Sequence, residues 1–156
     1  MVEAVSLPTM SGFDRNSGLN ETLGLRFGEV TPERVILSMN VTPAVLQPYG
    51  IVHGGAWCSL VETAASMAAA AWFGDRGRVV GVSNHTDFIR AIGSGTVEAV
   101  ATPVHRGRTQ QLWLVEITDE QGRLVARGQV RLQNIPAEEG VPGLRSTALT
   151  PEAPPT

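Results

Sequence analysis

The chain of 156 residues has a formal net charge of −3 and a hydrophobic fraction of 42%, which suits one domain with a buried core. The acidic balance and the lack of a basic run argue against nucleic acid as a partner. No apolar run is long enough to span a membrane, and the N-terminus does not resemble a signal peptide, so we expect a cytoplasmic protein with no membrane partner.

Strand-like segments and turns both precede and follow one long predicted helix in the sequence. Residues 23–30 and 34–41 predict two strands joined by the turn Thr31-Pro32-Glu33. Because only one helix is long enough to act as a crossover, we expect an antiparallel meander after it. Turns that contain Gly separate the four later predicted strands, residues 78–91, 95–106, 109–119 and 123–135.

Changes in composition suggest the domain bounds. We assign residues 1–20 to an N-terminal segment, with a short helical turn at residues 11–16, and residues 21–135 to the folded domain. Residues 136–156 are rich in Pro and poor in apolar side chains, which predicts a disordered tail.

The central helix begins directly after His53. From Gly54 to Phe73 the residues are mostly small or apolar and include no Pro, which predicts a helix of about five turns. Apolar residues lie on nearly all sides, so we expect the helix to be buried. One buried helix and about six antiparallel strands fit together if the sheet wraps around the helix, which is an α+β fold.

The polar residues of this helix share one stripe, at positions i, i+3, i+4 and i+7: Ser59, Glu62, Thr63 and Ser66. Glu62 is the only charged residue in the helix. The stripe is either the solvent-exposed side of the helix or the side on which a reaction takes place.

The start of the helix favours the second interpretation. Gly54 and Gly55 have no Cβ, so a ligand can approach their backbone. The free N–H groups of a first helical turn stabilise a developing negative oxygen. One helix would then carry an oxyanion site at its start and a carboxylate further on. Taken alone, His53 is also consistent with a polar residue that simply precedes a helix.

Cysteine and histidine are too sparse to predict a metal centre. Cys58 is the only cysteine and falls within the apolar helix, where a small core residue is expected. His53, His85 and His105 are widely spaced and form no ligand pattern with acidic residues. We therefore expect no metal.

Four motifs follow one another along the chain: Gln47-Pro48-Tyr49-Gly50, His53-Gly54-Gly55, Glu62 nine residues after the histidine, and Phe88-Ile89-Arg90. With the order of the predicted elements, they resemble the hotdog-fold acyl-CoA thioesterases over residues 24–135. Within that family the sequence is similar to the group that includes the phenylacetate-pathway, Glu-type 4-hydroxybenzoyl-CoA and dihydroxynaphthoyl-CoA thioesterases. The resemblance implies hydrolysis of an acyl-CoA, with an aromatic or medium-chain acyl group, to a free acid and coenzyme A. Coenzyme A is then part of the substrate, and no cofactor is expected.

The resemblance implies a role for each residue that matches the catalytic pattern. Glu62 matches a carboxylate that acts as nucleophile or as general base on water. Gly54 matches the residue whose N–H polarises the thioester carbonyl. Gln47 and His53 match positions that orient the thioester or the attacking water, and Ser66 matches a hydroxyl that positions this step.

Further residues match segments that contact the coenzyme A arm. Asp87 departs from the Asn that relatives often carry, and its charge opposes a nearby phosphate unless an arginine neutralises it. The substrate-binding candidates are Gly55, Thr63, Arg90, Arg106, Gly107, Arg108 and Thr109.

The distance between Gly54 and Glu62 has a consequence for assembly. Eight residues correspond to about 12 Å along a helix, too far for both to act on one thioester from the same helix. We therefore expect a homodimer with shared active sites, in agreement with the architecture that the resemblance implies, assembled further as a dimer of dimers.

Two alternatives stand beside hydrolysis. One is a non-catalytic acyl-CoA-binding module on the same fold. The presence of Glu62 argues against this alternative. The other is a hotdog-fold hydratase or dehydratase, but the Asp-x-Asn-Pro-x-His pattern of those enzymes is missing from this sequence.

Overall fold

Six antiparallel strands pack around one long helix in the computed structural model, which describes residues 14–138. In chain order the elements are α1 (Leu19–Thr22), β1 (Leu25–Val30), β2 (Val35–Asn40), a 3-10 turn (Pro43–Val45), α2 (Gly54–Phe73), a second 3-10 turn (Gly74–Arg76), β3 (Gly77–Phe88), β4 (Thr96–Arg106), β5 (Gln110–Asp119) and β6 (Leu124–Pro136).

The α+β class predicted from the sequence is confirmed. Each predicted strand and the long helix are present, with bounds that differ from the predicted ones by at most three residues. Part of the helical turn expected at residues 11–16, and the tail from residue 139 onward, lie outside the described residues. Within residues 14–138, no helix combines the length and apolar character that crossing a membrane requires.

The strand order corrects the predicted meander in one respect. Strands β4, β5 and β6 do follow one another, but the full order is β1-β2-β4-β5-β6-β3, so β3 pairs with β6 and not with β4. The reason is α2, which lies between β2 and β3 in the sequence and contacts all six strands. The chain crosses the sheet along this helix and adds β3 at the edge opposite β1.

Strand β3 is an open edge of the sheet. It pairs with β6 on one side, with a bulge between Gly81 and Ser83, and no strand of the described residues covers its other side. Val82, Phe88 and, directly after the strand, Ile89 are exposed. A long exposed edge with apolar side chains is a surface on which another chain can pair.

Small side chains let α2 lie close to the sheet. At Gly128 of β6, an added Cβ would lie 2.6 Å from Val61 Cγ1, so this crossing of helix and strand requires glycine. Four alanines of the helix have no exposed surface: Ala64, Ala65, Ala68 and Ala69. The polar stripe of the same helix, by contrast, is half-buried.

A buried polar cluster joins α2 to β5 and β6. The Gln111 Nε2 group donates to Asn134 Oδ1 at 2.6 Å and to the Ala69 carbonyl at 3.4 Å, and Trp113 Nε1 donates to Gln111 Oε1 at 2.8 Å. Asn134 in turn donates to two carbonyls of the β4–β5 turn. The cluster therefore fixes that turn relative to the core.

Ion pairs stabilise two of the hairpin turns. The Arg34 guanidinium donates to Glu29 beside the β1–β2 turn, and this hydrogen bond lowers the pKa of the Glu29 carboxyl. At the β5–β6 turn, Arg123 Nε donates to Asp119 Oδ2 at 2.7 Å and lowers the pKa of the Asp119 carboxyl. Asp119 Oδ1 also accepts the backbone N–H groups of Gln121 and Arg123.

Candidate active site

The Glu62 carboxylate is directed at β3. Its Oε1 lies against Gly81, where an added Cβ would overlap it. Ser66 Oγ donates to Oε1 at 3.4 Å, and Asn84 Nδ2 donates to Oε2 at 3.0 Å. Glu62 is half-buried and hydrogen-bonded on both oxygens, so it does not belong to a freely solvated helix face.

The start of α2 presents one N–H that a ligand could use. His53 is the N-cap of the helix, and its Nδ1 accepts the Gly55 N–H at 2.8 Å. The His53 carbonyl accepts the N–H groups of Ala56 at 2.9 Å and Trp57 at 3.3 Å. Among the described residues, the Gly54 N–H has no acceptor. It is therefore the donor that remains for a substrate oxygen.

A cavity of about 290 Å³ opens beside this N–H. The Phe88 ring lies over Gly54, where an added Cβ would be 2.6 Å from Phe88 Cε2. Polar side chains contribute to the lining at Gln47 and Arg90, and the rest of the lining is largely apolar. The lining residues are Gln47, Ile51, Val52, Gly54, Trp57, Phe88, Ile89, Arg90 and Ala91.

Gln47 also organises the loop that leads into the helix. Its Oε1 accepts the Tyr49 N–H at 2.7 Å, and its backbone N–H donates to the Ile51 carbonyl at 2.8 Å. No acceptor within the described residues takes the side-chain N–H groups of Gln47. Since Gln47 lines the cavity, these groups could donate to a ligand there.

The predicted catalytic residues and the substrate-binding candidate Arg90 fall into two places on one chain. Gln47, Gly54 and Arg90 line the same cavity, whereas Glu62 and Ser66 form a hydrogen-bonded pair further along α2. The helix is continuous from Gly54 to Phe73, so Gly54 and Glu62 are about 12 Å apart along its axis. One chain does not bring the carboxylate to the cavity.

Two of the substrate-binding candidates already have partners within the chain. The N–H of Gly55 is bonded to His53, which caps the helix. The Oγ1 of Thr63 donates to Asn20 Oδ1 of α1 at 3.3 Å. Contacts of Gly55 and Thr63 with substrate stay predictions.

The β4–β5 turn lies at the other end of α2 from the cavity. Arg106 Nη1 donates to Glu33 Oε1 at 3.0 Å, and its guanidinium carbon lies 5.5 Å from the centre of the Trp72 ring. Trp72 is in the last turn of α2, about 27 Å along the axis from Gly54. Residues 107–109 continue the turn, and Arg108 and Thr109 are exposed.

Gly81 and Asn84 were not predicted from the sequence as neighbours of Glu62. Their contacts join α2 to β3, and 22 residues separate Asn84 from Glu62 along the chain. One signal was present, because Gly and Asn are both unfavourable in strands and therefore suggest a special role there. It did not indicate which residue they would meet.

Asp87 and His85 lie close together on β3. Asp87 Oδ1 lies 3.6 Å from His85 Nε2, and both side chains are largely exposed. Within the part of the chain that the structure describes, no group of three or more His, Cys, Asp or Glu residues could hold a metal ion.

Comparison with known proteins places this fold in a defined class. The thioesterase superfamily model matches residues 49–126. The Mycobacterium tuberculosis protein Rv1847, provisionally named an esterase, is 56% identical over 118 residues, which are 74% of this chain and 84% of that protein. Its solved structure has a TM-score of 0.76, is 54% identical, and is matched over 77% of this chain and 98% of that one.

Two further relatives extend the comparison. The crystal structure of S. sahachiroi AziG has a TM-score of 0.77 and 52% identity, over 78% of this chain and 99% of that chain. The 1,4-dihydroxy-2-naphthoyl-CoA hydrolase of Listeria monocytogenes is 34% identical over 108 residues, which are 69% of this chain and 88% of that enzyme.

The fold and these similarities define the class as hotdog-fold thioester hydrolases. The chain belongs to the thioesterase superfamily. The resemblance inferred from the sequence is thereby confirmed, and hydrolysis is favoured over a non-catalytic binding module.

Proposed function

We propose that the protein hydrolyses acyl-CoA thioesters to a free acid and coenzyme A, with Glu62 as nucleophile or general base and the Gly54 N–H as donor to the carbonyl oxygen. The observation that carries this proposal is the arrangement on α2. Gly54 has the one unpaired N–H of the first turn within the described residues, and Glu62 is held by hydrogen bonds further along the same helix.

The chemistry has two forms that share this arrangement. With Glu62 as base, the carboxylate takes a proton from water and the oxygen of that water bonds to the carbonyl carbon. The C–S bond then breaks, and the proton passes from Glu62 to the sulfur of the departing coenzyme A. With Glu62 as nucleophile, its oxygen displaces the thiolate and water then hydrolyses the resulting anhydride. In both, Gly54 stabilises the negative oxygen of the tetrahedral species. Neither form requires a metal or a resident cofactor.

We assign the acyl group to the cavity at Gly54. Its walls include Trp57, which is almost fully buried, and the Phe88 ring. A volume of about 290 Å³ lined mainly by apolar residues, with Gln47 and Arg90 as polar members, suits an aromatic or medium-chain acyl group. The naphthoyl-CoA substrate in the name of the Listeria relative is of this kind.

We assign the coenzyme A arm to Arg90 and to the β4–β5 turn of another chain, since the turn of the same chain lies at the far end of α2 from the cavity. Arg90 lies at the cavity, and Arg108 and Thr109 are exposed on the turn. Arg106 forms an ion pair with Glu33. To contact a phosphate, the Arg106 guanidinium would have to bind both groups or release Glu33. Gly107 would let the backbone of the turn approach a phosphate.

We also propose a homodimer in which each site combines the Gly54 cavity of one chain with Glu62 of the other. The separation of about 12 Å along α2 supports this, as does the open edge of β3, which lies over both residues. Pairing of two such dimers would complete the proposed dimer of dimers.

The proposal is tested with Glu62→Gln, which keeps the shape of the side chain and removes the base or nucleophile. We expect the variant to fold and its kcat to fall about 100- to 10,000-fold, measured as thiol release across a panel of aromatic and aliphatic acyl-CoAs. The matched control is Glu98→Gln, the same change on an exposed residue of β4, which should leave kcat unchanged. Hydrolysis by Glu62→Gln at the wild-type rate would overturn the assignment.

A further inference from the structure

An asparagine on the edge strand contacts the candidate carboxylate directly. We propose that Asn84 is a positioning residue that sets the orientation of the Glu62 carboxylate for the reaction. This inference deepens the proposed function and rests on the catalytic role assigned there to Glu62.

Three partners fix the Asn84 side chain. Its Nδ2 donates to Glu62 Oε2 at 3.0 Å and to the Cys58 carbonyl, one turn earlier in α2, also at 3.0 Å. Its Oδ1 accepts the Thr86 hydroxyl at 2.6 Å. The amide has one possible orientation here, because the reversed side chain would place its oxygen against two acceptors. Both N–H groups are therefore committed to α2.

The bond from Asn84 is the shorter of the two that hold the carboxylate. Ser66 Oγ lies 3.4 Å from Oε1, near the upper limit of a hydrogen bond, whereas the Asn84 contact with Oε2 is 3.0 Å. The Gly81 backbone closes off the space beside Oε1. Asn84 is thus the main donor that selects one side-chain conformation of Glu62.

A neutral donor suits this position chemically. Within the described residues, no arginine or histidine forms an ion pair with Glu62. An amide fixes the carboxylate without placing a positive charge beside it. The lone pairs of the Glu62 oxygens therefore stay available to water or to the thioester carbon. A glutamate has three side-chain torsions, and holding it in one conformation before substrate binds lowers the entropy cost of the reaction.

The first test is Asn84→Ala. We expect kcat for acyl-CoA hydrolysis to fall about 10- to 100-fold while KM changes less than about twofold, because the variant loses orientation of the reacting group but no substrate contact. Asn84→Asp has the same shape, replaces both donors with acceptors, and should lose at least as much kcat. Gln129→Ala is the matched control, since it removes an exposed amide from β6, the adjacent strand, and should leave kcat unchanged.

A double variant separates positioning from a merely structural role. If Asn84 acts through Glu62, adding Asn84→Ala to Glu62→Gln lowers the residual rate no further, whereas the same change in the wild-type background lowers kcat at least tenfold. A wild-type kcat in folded Asn84→Ala and Asn84→Asp would overturn the inference. So would an equal further loss in the Glu62→Gln background. Wild-type activity of Glu62→Gln alone would instead overturn the proposed function. Should Asn84→Ala fail to fold, Asn84→Asp decides by the same criteria.

Discussion

Single glycines determine what can lie between α2 and β3. Gly54 lies under the Phe88 ring and Gly81 lies against the Glu62 carboxylate, so both positions allow a close approach that any side chain would prevent. Gly54 could be identified in the sequence because it begins a helix. Gly81 could not, because a glycine inside a strand does not indicate which residue approaches it.

We expect Gly81→Ala to lower kcat about 100-fold while the protein still folds. The new Cβ would overlap Glu62 Oε1, and the carboxylate is the flexible end of a long side chain, so it can move aside at the expense of its catalytic position. Thiol release gives kcat, and thermal unfolding followed by circular dichroism reports the fold.

Gly28→Ala is the control for this substitution. Gly28 is in β1, and its added Cβ would lie 3.3 Å from the Ile36 carbonyl oxygen, so a small change in stability is expected with kcat unchanged. An unchanged kcat in well-folded Gly81→Ala would show that the position of Glu62 seen here is not needed for turnover.

At the scale of the elements, the buried cluster around Gln111 holds helix and sheet together. Gln111 accepts from Trp113 and donates to Asn134 and to the last part of α2, with none of these polar groups exposed to water. Such a cluster stabilises the fold only while all its members are paired.

Replacing Gln111 with Leu should therefore lower the free energy of unfolding by about 2–4 kcal/mol, because the Trp113 Nε1–H group and the side-chain oxygen Asn134 Oδ1 would be buried without partners. Urea unfolding at constant m-value measures the change. The neighbouring residue Gln110 is exposed, so Gln110→Leu makes the same chemical change with an expected effect within about 0.5 kcal/mol. Equal stabilities of the two variants would contradict the role given to the cluster.

For the assembly as a whole, the proposed reaction needs two residues that one chain keeps apart. The helix separates the donor from the carboxylate, and the sheet ends at β3 with its edge uncovered by any strand of the described residues. A second copy that pairs along this edge would supply the missing half of each site, because a two-fold interface exchanges the same residues in both directions.

We therefore expect two inactive variants to restore activity when mixed. A heterodimer of Glu62→Gln with Gly54→Val contains one site with both changes and one site with neither. Refolding the two together at equal concentrations gives about half heterodimers, so about a quarter of wild-type activity should return. Thiol release measures the activity, and differently tagged chains establish that heterodimers have formed.

Each variant refolded alone is the control for this experiment. If one chain supplied both residues, every site in the mixture would carry a lesion and activity would stay at the level of the controls. Heterodimer formation without any recovery would therefore contradict the shared site.

The helix and strands could be predicted because their signals are local. The small and apolar residues between Gly54 and Phe73 specify a buried helix, and alternation with polar residues specifies β6, where Arg127, Gln129 and Arg131 are exposed between buried neighbours. The candidate residues on α2 could be placed relative to one another for the same reason, since the pitch of a helix fixes their separation.

Local patterns were enough to predict the elements, the class of fold and the spacing of Gly54 from Glu62 on one helix. The place of β3 beside β6, and the contacts of its Gly81 and Asn84 with the Glu62 carboxylate, depend on how the chain packs. The difference is one of distance along the chain. Periodicity and capping act over a few neighbouring residues, whereas strand order depends on where the chain emerges at the end of α2 after crossing the sheet. Contacts between segments far apart in the sequence follow from that crossing and have no local signal.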